Sequence, residues 1–139
     1  MSQKLKFWFV FLNFVYSYNK NIMIMKGSDL KLANEIRLKL IECAAQSQII
    51  CYSDLVPNVL CDNRHMNRLS KILTYISEVE WEDRKLLLSS LVVQKDTKIP
   101  SVGYFELCAK LNVSTDYKEM QEKCFEFWKN EENMEGLIK

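Results

Sequence analysis

The chain has 139 residues, 48% apolar and 27% charged, which is the length of one domain and the composition of a folded chain with a modest core. Three Gly and two Pro exclude collagen-like, repeat and low-complexity architectures, and no stretch approaches the roughly 20 apolar residues of a membrane-spanning helix. The net charge of +1 hides a gradient, from +4 over residues 1–28 through zero over 29–115 to −3 over 116–139.

Residues 5–18 hold seven of the chain's sixteen aromatic residues. Two Lys precede this apolar run, as in a signal peptide, but the small-x-small cleavage pattern that should follow is absent. The segment reads as an upstream extension of a shorter protein starting near Met23 or Met25, as an aromatic strand that pairs with a partner, or as an interfacial anchor. Phe7, Trp8, Phe9 and Phe11 are its candidate partner-contacting residues.

From Ser28, a plausible N-cap followed by Asp29, apolar residues recur at helical spacing: Leu30, Ala33, Ile36, Leu40, Ile41 and Ala44. Residues 48–52 are short and β-branched like a strand. Ser53 and Asp54 then cap a short helix over 55–60 that tolerates Pro57 in its first turn. Asp62 or Asn63 caps a third helix whose apolar side is Met66, Leu69, Ile72, Leu73, Ile76 and Val79; Arg64, His65, Asn67, Arg68 and Lys71 lie on its other side. Glu78, Glu80, Glu82 and Asp83 read as a solvated acidic stretch, and residues 81–85 as a polar connection anchored by Trp81. Residues 86–93, Leu-Leu-Leu-Ser-Ser-Leu-Val-Val, read as a buried strand, 95–98 are turn chemistry, and 99–103 return the chain. Residues 104–111 suit a short helix or a strand-to-helix passage. Ser114 caps a last helix over about 115–130, with Tyr117, Met120, Cys124, Phe127 and Trp128 on its apolar side.

The order helix, strand, helix, helix, strand, turn is that of a winged helix-turn-helix. The expected fold is therefore mainly α with a small β-hairpin: a winged-helix-like single domain over 28–111, preceded by the 1–27 extension and followed by an acidic amphipathic helix and tail over 112–139.

Ile49 through Val56 resembles the strand-turn-helix that opens the DNA-binding half of O6-alkylguanine-DNA alkyltransferases and alkyltransferase-like proteins. Residues 66–73 look like that family's recognition helix. Leu88-Ser89-Ser90-Leu91-Val92-Val93 falls where the family has Pro-Cys-His-Arg-Val-Val, and Gly103-Tyr104 follows as in its wing. The resemblance spans roughly residues 30–107 and is one of pattern. It implies a DNA-binding winged helix in which Tyr52 works on the backbone and Asn67 or Arg68 takes the place of an arginine finger. Ser89 replaces the acceptor Cys and Ser90 its partner His, which removes the alkyl-transfer chemistry because a Ser without a base is a poor nucleophile. Residues 87–107 also resemble a pattern found in uncharacterised small bacterial proteins, which carries no activity with it.

The five cysteines form no Cys-x-x-Cys pair and the chain has one His, so neither a zinc site nor a small disulfide scaffold is expected. Reduced thiols in the cytoplasm fit this usage, and no cofactor is expected. A dedicated duplex binder usually has an overall basic excess, so contact with double-stranded DNA must rest on a local patch. Tyr52, Arg64, Asn67, Arg68 and Lys71, with Lys95 and Lys98 on the wing, are its candidates, since Arg and Lys reach phosphates and Asn reads adenine. The expected function is a non-catalytic, DNA-binding accessory or regulatory factor. The alternative is a protein-interaction module, a homodimer or a docking subunit of a larger nucleic-acid-processing complex, that adds Phe127 and Trp128 to its contact surface. An enzyme with Ser89, Ser90 or Cys108 as nucleophile is the least favoured reading.

Overall fold

The apolar stripe that begins at Leu30 winds as α1 (Gly27–Ala45) and buries Leu30, Ala33, Ile36, Leu40, Ile41 and Ala44. The computed structural model describes residue 25 and residues 27–55 and 63–136 of the chain. Helix α1 closes where Ser47 turns left-handed (φ 55°) and Gln48 N–H reaches back to the Cys43 carbonyl at 2.8 Å. Then come β1 (Ile50–Cys51), α2 (Tyr52–Leu55) and α3 (Asn63–Arg84). A 3-10 turn (Leu88–Leu91) leads into β2 (Val92–Val93), followed by α4 (Val102–Leu111), α5 (Tyr117–Lys129) and α6 (Glu131–Glu135). Among the described residues the fold is mostly helical, and no helix is long and apolar enough to cross a membrane.

Helix α3 is the centre of the molecule. Every residue from Tyr75 to Glu80 is buried, so no side of its middle faces solvent. Leu69, Leu73, Ile76 and Val79 share one core with Leu40 and Ile41 of α1, Leu88 and Leu91 of the 3-10 turn, and Cys124, Phe125 and Trp128 of α5. A second cluster, formed by Leu87, Tyr104, Leu107, Cys108 and Met120, fixes α4 to the start of α5.

Several sequence expectations are corrected by this arrangement. The two strands pair in parallel, Ile50 with Val92 and Cys51 with Val93, and form no hairpin. Instead of a returning strand, residues 94–101 make a turn: Gln94 N–H donates to the Ile99 carbonyl at 3.0 Å, Lys98 N–H to the Gln94 carbonyl at 2.9 Å, and Lys98 is left-handed (φ 59°). Pro100 has no N–H to offer a ladder, and the chain enters α4 two residues later.

The apolar run 86–93 is a strand only over its last two residues. It is buried throughout, Ser89 and Ser90 included, and a short buried run does not distinguish a strand from a tight helical turn. Trp81 to Arg84 continue α3 rather than connecting it onward. Glu78 and Glu80 are buried, not solvated, because both carboxylates find cations. Asp116 caps α5 by accepting from Glu119 N–H at 3.1 Å, while Ser114 accepts from Asp116 N–H one step earlier. The expected helix over 55–60 begins earlier, at Tyr52, and residues 56–62 lie outside the described residues.

Candidate functional site

The N-terminal half of α3 presents Asn67, Ser70 and Lys71 to solvent, with Thr74 half-buried one turn on. These positions share a face because residues three and four apart stack along a helix. Two contacts bring the 94–101 turn and the start of α4 to this face. The Tyr52 hydroxyl donates to Ser101 Oγ at 2.8 Å and accepts from Ser101 N–H at 3.2 Å. Gly103 lies so close to α3 that a Cβ there would stand 3.2 Å from Ser70 Oγ. On the turn, Lys95 and Lys98 are exposed, and the Lys98 ammonium donates to Cys51 Sγ at 3.6 Å. The outcome is a polar ridge on α3 beside a turn carrying two lysines.

Between them lies a small cleft where Tyr52, Ser70, Thr74, Ser89 and Ser101 meet Leu73, Gly103, Tyr104 and Leu107. Its volume, about 20 Å³, suits one water molecule and excludes a nucleobase or a cofactor. Ser89 sits at its base, nearly buried, where the Ser77 hydroxyl donates to Ser89 Oγ at 2.7 Å and Ser89 N–H donates to Ser77 Oγ at 3.2 Å. Ser89 is thus tied to another hydroxyl, not to a base.

The larger hollow, about 310 Å³, lies between the end of α3 and the start of α5. Lys85 and Lys123 there are matched by Asp116 and Glu119, so it selects neither anions nor cations. Among the described residues no group of three His, Cys, Asp or Glu side chains could hold a metal ion.

Behind the cleft the interior carries an unusual amount of polar chemistry. Arg37 Nε donates to Glu80 Oε1 at 2.5 Å, and neither side chain has exposed surface. Arg84 reaches the other Glu80 oxygen at 3.2 Å while its guanidinium lies 5.4 Å from the Trp128 ring centroid. Lys110 pairs with buried Glu78 at 2.5 Å, joining α4 to α3. Gln121 donates to the Ser90 carbonyl at 2.8 Å, joining α5 to the 3-10 turn. Burial pushes the Cys124 thiol up to about 12, against a smaller opposing pull from its Ser90 hydrogen bond. Burial likewise raises Cys108, Tyr75 and Tyr104, which favours their neutral forms.

Of the residues singled out from the sequence, Asn67, Lys71, Lys95 and Lys98 are exposed and Tyr52 is half-buried against Ser101. Arg68 is held by Asp29, its Nε and Nη2 both 2.7 Å from Asp29 Oδ1. Trp128 is fully buried in the core and offers no surface to a partner; its neighbour Phe127 is half-buried. Phe7, Trp8, Phe9, Phe11 and the side chains of Arg64 and His65 lie outside the described residues.

Sequence reading passed over Arg37, took Glu80 as solvated, and did not pair Arg68 with Asp29. For two of these the signal was present. Arg37 continues the Ala33–Leu40–Ala44 stripe and Glu80 continues the Leu69–Leu73–Ile76 stripe, so each is a charge at a core position. Comparison of the chain with known protein families, curated proteins and solved structures finds no match in any of the three.

Proposed function

We propose that this chain is a non-catalytic winged-helix protein that binds double-stranded DNA, as an accessory or regulatory factor. Helices α2 and α3 form its helix pair and the 94–101 turn its wing. One observation carries the reading: Asn67 and Lys71 on α3 stand exposed beside the turn that holds Lys95 and Lys98, with Tyr52 and Gly103 keeping the two together. This combines backbone-binding cations with one side chain suited to base edges. The patch is local, as a nearly neutral chain requires. The resemblance of residues 30–107 to alkyltransferase-like proteins points the same way, and the bonding of Ser89 to Ser77 alone supports binding without chemistry.

Duplex affinity measured by fluorescence anisotropy across a salt series tests this. Three to four phosphate contacts give a slope of log K against log salt of about −3, and Lys71→Ala with Lys98→Ala lowers its magnitude by about two. No detectable duplex binding at low salt overturns the proposal.

A second reading, a protein-interaction module with the same fold, draws on apolar exposure. Val102 is 72% exposed at the start of α4, and Ile49, Met66 and Ile99 are also exposed. Light scattering on the full chain and on one starting at Met23 tests it. A monomer in both counts against a homodimer.

A further inference from the structure

Among the described side chains on the exposed half of α3, Arg68 already has an anion. Its Nε and Nη2 both reach Asp29 Oδ1 at 2.7 Å, across 39 positions of sequence, and the two side chains are 41% and 26% exposed. Two N–H groups of a guanidinium directed at one oxygen anion is also how Arg meets a phosphate. Asp29 sits in the first turn of α1, where the helix dipole favours a carboxylate, so it is held in place without Arg68. Lys71, one turn along from Arg68, stands exposed.

Resting on the DNA-binding reading above, we propose that Asp29 is an intramolecular stand-in for a DNA phosphate that masks Arg68 and lowers the protein's affinity for duplex. Binding exchanges one partner for the other: the Arg68 guanidinium leaves the Asp29 carboxylate for a backbone phosphate, and Asp29 returns to water. An exposed pair is weak enough to make this exchange accessible. The masking moderates non-specific binding, which scales with the number of phosphates neutralised.

The experiment is duplex binding by the full chain, wild type and Asp29→Asn, each with and without Arg68→Ala, over a salt series. Asp29→Asn is expected to raise affinity at low salt by roughly two- to fivefold, the strength of an exposed ion pair, and to steepen the salt slope by about one. The gain must vanish in the Arg68→Ala background. A gain that persists there means simple repulsion of DNA by Asp29 and overturns the proposal, as does an unchanged Asp29→Asn. Asp29→Ser, which keeps side-chain chemistry compatible with a helix start, must reproduce the gain, with helical content and melting followed by circular dichroism. Duplex binding by wild type with no response to Asp29 sinks this inference alone. Absence of binding by every variant sinks the DNA-binding reading and the inference with it.

Discussion

Arg37 and Glu80 are each other's solvent: both side chains have no exposed surface and the ion pair spans α1 and α3. Removing one charge leaves the other buried and under-compensated, which is far more costly than replacing both. Glu80→Gln should therefore destabilise the fold by about 3 kcal/mol, whereas Arg37→Met with Glu80→Leu should recover most of that loss. The midpoints of urea unfolding curves compare the two directly. At Cys124 the sign of the pH effect follows from burial. Its thiol ionises near 12 in the folded state and at the ordinary thiol value when unfolded, so its contribution is complete below about 9 and is lost as pH rises toward 12. Tyr75 and Tyr104, also raised by burial, act in the same direction at still higher pH. The melting temperature should fall steadily between pH 9 and 11; a flat profile there contradicts the burial of these groups. At this scale the sequence was legible for apolar residues and misleading for charged ones. Glu78 and Glu80 look solvated until Lys110 and Arg37 are found opposite them, and neither partner is near in sequence.

At the scale of elements, α5 is the clearest case of a segment whose place depended on the rest of the fold. Its apolar side was readable, but whether that side met this chain or a partner was not. Trp128 is buried beside Phe125 and Cys124 in the same core as α1 and α3, so α5 covers α1. Trp128→Ala should cost about 3–5 kcal/mol, as for large core truncations, while Phe127→Ala, at a half-buried position, should cost clearly less. Thermal denaturation of both variants checks the order. The span of α1 and the start of α3 were legible from their 3.6-residue period to within a residue or two, but the end of α3 was not, since residues 81–85 read as a connection. The 86–93 run was not, because apolar triplets on either side of Ser89-Ser90 have no helical or strand period. Its conformation follows from hydrogen bonds to distant residues: Ser89 N–H to Ser77 and the Ser90 carbonyl from Gln121. The 94–101 turn shows the same limit. Its turn chemistry was evident from Lys95 to Lys98, yet the partner of β2 is β1, a strand more than 40 residues earlier in the chain.

For the whole molecule, the described surface carries Lys71, Lys95 and Lys98 on one side and exposed acids elsewhere. Glu131, Glu132 and Glu135 of α6 are exposed, and under the proposed DNA-binding function they would oppose approach of a duplex. Replacing all three by Gln should raise duplex affinity severalfold at low salt, an effect that fades above about 0.3 M as screening shortens to a few ångström, with stability nearly unchanged. Anisotropy titrations at two salt concentrations, paired with a melting curve, measure both. By itself the sequence determined the helical class, the principal helices, most core-facing apolar positions and the uneven charge, because periodicity, capping and composition are local properties. Only the tertiary structure decided that the middle of α3 is enclosed on every side, that β1 and β2 run parallel, that Arg37 and Glu80 belong to the interior, and that Arg68 is held by Asp29. Each of these depends on groups tens of residues apart meeting in space, and no local pattern encodes which charge a buried charge will find.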